Sequence, residues 1–152
     1  MRGKEFNKTL FVVLLGMISI YLFAVLDIQL KESAQKIEME KYNIYRILEA
    51  LILIFFGVLV EYKKVLLIFK NGFSINKYYL ITAISLAILL ILPYDTIMRL
   101  GIGHPGSIKG IISLSLTSIN IRSVLSVLTG ILIIRSLASS KSNKQIFRGE
   151  VD

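Results

Sequence analysis

Cysteine is absent from this 152-residue chain. That excludes disulfides, thiol redox relays and thiolate metal sites. Histidine occurs once, at His104, which excludes a multi-histidine metal centre. Proline occurs twice, and Pro93 and Pro105 fall in one connecting segment. Charged residues make up 18% of the chain, against about a quarter in soluble domains. Acids are the scarcer sign: 10 against 18 lysines and arginines, for a net charge of +8. Such a charge fits nucleic-acid binding, but a helical membrane protein explains it more simply, because basic residues gather on its cytoplasmic side.

What the chain has in excess is apolar sequence. Hydrophobic residues are 55% of it, and mean hydropathy is +0.71. They come in four blocks, at about 10–30, 42–60, 78–94 and 111–137. About 20 residues at 1.5 Å each cross the hydrocarbon core. Backbone in lipid must satisfy its own hydrogen bonds, so each block is expected to be helical. The first block also has the basic start and apolar run of a signal peptide, but its run is long and no small-x-small cleavage site follows. It is read as an uncleaved helix. The predicted class is an all-α integral membrane protein, a four-transmembrane-helix bundle formed by residues 1–137. Residues 138–152 are read as a polar, mobile cytoplasmic tail.

Orientation follows from basic residues beside the helix ends. Eleven lie on one side: Arg2, Lys4, Lys8, Lys63, Lys64, Lys70, Lys77, Arg135, Lys141, Lys144 and Arg148. Five lie on the other: Lys31, Lys36, Lys41, Arg99 and Lys109. Both termini are therefore expected in the cytoplasm of a multi-pass plasma-membrane protein. Lysine, isoleucine and asparagine usage points to a prokaryotic source. Tyr42, Tyr45 and Tyr94 are placed near the outer interface, with Tyr62, Tyr78 and Tyr79 near the inner one. The segment "EYKKVLLIFK" leaves two readings open: a continuation of the second helix, or a basic helix lying along anionic lipid. "NG" at Asn71–Gly72 ends that stretch.

The loop "PYDTIMRLGIGHPGSIKG" carries Asp95, Arg99, His104 and Ser107, with four of the ten glycines. Asp95 is expected to cap a short helical turn from Thr96 to Leu100, and Ser107 to cap the fourth helix. Asp95 with His104 is too small a set for a metal, and Ser107 beside His104 lacks a nucleophile elbow. "GHPGSIKG" resembles an anion cradle without the spacing of a phosphate loop. Asp27 and Asp95 each follow an apolar run and precede a basic residue, a short echo between the two halves.

Ionisable residues inside the blocks carry the most information. On the fourth block Ser115, Ser118, Arg122, Ser126 and Thr129 recur every three or four residues, which makes one polar stripe. An arginine in mid-membrane costs at least about 2.5–3.5 kcal/mol, so it calls for a partner. Counted from the membrane edges, Glu49 on the second block lies at the depth of Arg122. Asp27 and Arg46 form a second level nearer the surface. The predicted cluster is Asp27, Arg46, Glu49 and Arg122, with Tyr21, Ser118 and Asn120 as hydrogen-bonding neighbours. Two acids balance two bases, so the set reads either as ion pairs that fix helix register or as a polar pocket open to the outside. Ser126 with Gly130, and Ala83 with Ala87, are spaced for close helix packing, which makes the fourth helix central.

No nucleophile–base pair, metal set or cofactor motif emerges, and no enzymatic activity is expected. The leading expectation is a non-enzymatic accessory, regulatory or binding module, with the lipid bilayer and a partner membrane protein or a second copy as its partners. The alternative is a small oligomeric transporter or channel with the hydroxyl stripe lining its path.

Overall fold

The computed structural model describes residues 2–93, Thr96, Ile97, Arg99 and 118–138. Among these residues the chain is entirely helical: α1 Arg2–Gln35, α2 Met39–Val60, α3 Tyr62–Asn71, α4 Lys77–Ile91 and α5 Ile119–Leu137. Three stretches, Thr9–Gln35 of α1 and all of α2 and α5, are long and apolar enough to cross a membrane. The fourth apolar helix, α4, has 15 residues, about 22 Å of helix.

α1 outruns its apolar block because nothing in "KESAQ" stops a helix. Its covered face is Gly16, Ser19, Leu30 and Ser33, with Val12, Phe23 and Leu26 half-buried between them. The alternating steps of four and three make a heptad seam, the spacing that lets two helices mesh side chains along their length. This seam packs against α2. Most of the other described side chains of α1 are exposed, including Phe11, Met17 and Tyr21.

The turn from α1 to α2 ends the helix with two reversed hydrogen bonds, from Ile37 N–H to the Ala34 carbonyl at 3.2 Å and from Glu38 N–H to the Ser33 carbonyl at 3.0 Å. This pattern normally places glycine at its left-handed position. Here that residue is Ile37, with φ of 57° and 75% of its surface exposed. A left-handed conformation costs a side-chain-bearing residue about 1–2 kcal/mol, and Ile37 recovers little by burial. Ile37→Gly is therefore expected to stabilise the protein by about 0.5–1 kcal/mol, after glycine's entropy loss is deducted. Thermal melting in detergent checks this, and an unchanged or lower midpoint would contradict the strain.

The open question at 61–70 has a definite outcome. α2 stops at Val60, Glu61 forms a turn, and α3 begins at Tyr62 as a separate helix. Ile68 of α3 is buried with Ile134 and Ala138, and Val58, Val65 and Leu137 pack around them. α3 ends at Asn71, where Gly72 has φ of 83° and ψ of 172°, a conformation that belongs almost wholly to glycine.

α4 ends at Ile91, short of the expected 94, because Leu92 takes the extended backbone (ψ 133°) that a following proline demands. Thr96, Ile97 and Arg99 are helical, and Ile97 is buried. The last apolar block also differs from expectation. Ser118 is extended (ψ 122°), so the described helix starts at Ile119 and has 19 residues. That puts Arg122 in the first turn of a helix rather than near the middle of a long one.

The packing order sets the site. Among the described residues α2 packs against both α1 and α5, α4 packs against α5, and α2 also touches α4. Directions follow from the ends. Backbone N–H groups of Ser74 and Asn76 donate to the carbonyls of Leu137 and Ser136, at 3.2 and 2.7 Å. They satisfy carbonyls that every helix C-terminus leaves open. The Asn76 side chain also caps α4, accepting from Tyr78 N–H at 3.2 Å. So α4 starts where α5 ends, and the two run antiparallel.

Candidate functional site

On α2, Arg46, Glu49, Ala50 and Gly57 are buried on one face. On α5 the buried residues are Arg122, Ser126, Thr129, Gly130, Ile134 and Ser136. Arg122 donates from an Nη group to Glu49 Oε2, an ion pair in which both side chains are almost fully buried. Gly57 meets Gly130 along the same contact. Further on, Arg135 Nε donates to Glu61 Oε1 at 2.7 Å. The sequence separation is 73 for the first pair and 74 for the last. Helices that touch at a constant offset run parallel, in register.

The close approach has a simple cause. A Cβ on Gly57 would stand 3.1 Å from Gly130 Cα and collide with the Val127 carbonyl oxygen. A Cβ on Gly130 would stand 3.0 Å from Gly57 Cα and collide with the Ile54 carbonyl oxygen. Neither helix can carry a side chain there, so the backbones touch. Small residues at a crossing supply this kind of contact where lipid offers no hydrophobic drive for association.

Arg122 sits at the N-terminal end of α5, where the helix dipole disfavours a cation. The Glu49 carboxylate reverses that local balance. Arg46 is also buried and lies within electrostatic range of Arg122, as does Tyr42. Glu49 Oε1 has no hydrogen-bond partner among the described residues. Arg122 thus has one buried carboxylate as its ion-pair partner and a second buried guanidinium within electrostatic range.

Other predicted members of the cluster are elsewhere. Asp27 pairs with Lys31 one turn along its own helix, at 2.6 Å. Tyr21 is 69% exposed and faces away, and Asn120 is exposed at the start of α5. Ser118 is half-buried at the N-cap position without a side-chain cap bond. The heptad seam of α1 turns Tyr21 outward, and Asn120, two residues before Arg122, lies about 200° round the helix from it and so off the α2 face. Arg99 is exposed. Asp95, His104, Ser107 and Ser115 lie outside the described residues.

The hydroxyl stripe is a packing face. Ser126 and Thr129 are fully buried and donate to the carbonyls of Arg122 and Leu125, four residues back, at 2.9 and 2.7 Å. Ser136 donates to the Ile133 carbonyl at 2.7 Å. An open groove of about 410 Å³ runs along the other side of α5, lined by Ser123, Val124, Val127, Leu128 and Ile131. Its walls are apolar.

A second charged set closes the opposite end of the α2–α5 contact. Glu61, at the α2–α3 turn, binds Arg135 and also Lys64, the latter at 3.1 Å. Burial pushes the Glu61 carboxyl up, but the hydrogen bonds and charges of Arg135 and Lys64 outweigh it and hold it below its ordinary value. A lowered carboxyl stabilises the fold above its unfolded-state value and loses that contribution as pH falls through the folded value. Melting temperature should therefore drop in acid below the ordinary glutamate range. Glu61→Gln should start lower and lose less over the same interval. An identical slope in both proteins would contradict the pairing.

The chain matches no protein-family model, and no curated protein or solved structure is significantly similar to it.

Proposed function

We propose that this chain is a four-span plasma-membrane protein of prokaryotic type, with both termini in the cytoplasm, that works as a non-enzymatic accessory or binding module around a fixed α2–α5 core. Three helices of spanning length support the membrane assignment. The antiparallel course of α4 against α5 supports a fourth crossing, with its 15 residues extended at the rims. The basic residues of α3 and the start of α4 then mark the cytoplasmic side.

The observation that carries the functional reading is how the polar residues of α5 are used. Arg122 is paired with Glu49, and Ser126, Thr129 and Ser136 bond to their own helix. A conducting path needs polar groups that solute can reach. Here those groups are already used, Arg122 by Glu49 of α2 and the hydroxyls by carbonyls of α5 itself, which suits a module that presents a constant shape to lipid or to a partner. The test is flux. Purified protein reconstituted into vesicles is expected to leave proton, potassium and small-solute permeability at the level of empty vesicles. Saturable flux that Ser126→Leu abolishes, with the fold retained, would overturn this reading in favour of a conduit.

A further inference from the structure

At the far end of the molecule from the Glu49–Arg122 pair lies an open pocket of about 420 Å³. Its lining includes Ser74, Asn76, Lys77, Tyr78, Tyr79 and Arg135. The geometry points to a binding site for the phosphate of an anionic lipid headgroup, drawn from the leaflet that meets this end of the helices. The proposal rests on the membrane reading given above and assigns a ligand to a place that reading leaves blank.

Four observations carry it. The first is charge. Lys77 has no ion-pair or hydrogen-bond partner among the described residues. Arg135 is held by Glu61 through Nε alone, so Glu61 aims the guanidinium while its Nη groups have no protein partner among the described residues. Glu61 is shared with Lys64, so Lys64, Arg135 and Lys77 outnumber the one acid by two. A guanidinium fork and a lysine ammonium together suit a phosphate oxygen cluster.

The second is polar lining. The hydroxyls of Ser74, Tyr78 and Tyr79 add donors in the same pocket. The third is rigidity. Asn76 binds the end of α5 through its backbone and caps α4 through its side chain, so Lys77 and Arg135 are carried by elements locked to each other. The fourth is position. Phe69 of α3, Phe73 and Ile75 of the connecting segment and the aromatic Tyr78 of α4 are all more than 60% exposed. Apolar and aromatic side chains beside a cationic pocket belong at the boundary of headgroup and acyl chain.

A free phosphate ion shares the headgroup chemistry, so the experiment separates the two. Full-length protein in a neutral detergent is titrated with phosphatidylglycerol, phosphatidylcholine or inorganic phosphate, and bound lipid is read by native mass spectrometry beside the thermal midpoint. Phosphatidylglycerol is expected to bind and raise the midpoint, and phosphatidylcholine to do so far less. Lys77→Gln should weaken phosphatidylglycerol binding about fivefold, the effect of one cation near a lipid surface. Lys70→Gln, which alters an exposed lysine outside the pocket, should change it less than twofold. Equal losses in the two variants would overturn the site, because binding would then follow diffuse charge. Equal protection by inorganic phosphate would overturn the lipid as the source. A reversed orientation would show in a reporter fusion and leave this titration unchanged, so the two readings fail separately.

Discussion

Glu49→Ala is expected to lower stability by about 3–5 kcal/mol, the range for breaking a buried ion pair from one side. The substitution removes the carboxylate and leaves Arg122 buried at the positive end of α5, with Arg46 nearby. Breaking a buried pair from one side costs this much because the remaining charge has neither water nor a partner. Arg122→Ala should cost a similar amount for the mirrored reason. The double variant should cost clearly less than the sum of the two, because a missing pair strands no charge. Glu49→Gln separates charge from shape: it keeps an acceptor oxygen for Arg122 and should fall between wild type and Glu49→Ala. Melting of the wild type and the four variants in one detergent measures the set. Additive losses would mean that Glu49 and Arg122 do not depend on each other.

The second large effect is expected at the glycine crossing. Gly57→Ala or Gly130→Ala each puts a methyl group against the partner helix's backbone. A backbone carbonyl cannot swing aside as a side-chain tip can, so the helices must separate or tilt. Overpacking of this kind costs about 1–3 kcal/mol, and backbone contact on both sides puts these sites at the upper end. The double alanine variant should cost less than the sum, since one separation accommodates both methyl groups. Gly16→Ala is the control. Its Cβ would meet only the Phe56 ring, at an ordinary 3.6 Å. It should be neutral or slightly stabilising, because alanine favours a helix by about 0.8–1 kcal/mol over glycine. Thermal midpoints that rank Gly16→Ala with the other two would contradict the crossing.

Helical class and the pairing of Glu49 with Arg122 were legible in the sequence for one reason: both follow from one-dimensional counting. Apolar length marks a spanning stretch, and residues counted from its end mark depth. The hydroxyl face of α5 was legible through its period. Gly57 was not, because no small residue lies four positions from it, and its partner is on another helix. Seven residues back, Ala50 shares its face, a weaker signal. Asp27 was assigned by depth to the cluster, although Lys31, four residues on, offered a local partner at ideal helical spacing. The break at Glu61 has no proline or glycine to announce it; it coincides with a carboxylate bound by Lys64 and by Arg135, 74 residues away. The extended backbone at Ser118 likewise interrupts an apolar run that hydropathy reads as continuous.

The parallel, in-register contact of α2 and α5 underlies the ion pair, the glycine crossing and the Glu61 bridge together. The cysteine-free chain makes it directly measurable by paired-cysteine crosslinking in native membranes. Cysteines at positions 61 and 135 should be joined by a short bifunctional thiol reagent in high yield, whereas a pair at 61 and 120, at opposite ends of the parallel contact, should stay unlinked. Efficient linkage of 61 to 120 with none to 135 would mean that the two helices run antiparallel, and would contradict the core on which every other assignment rests.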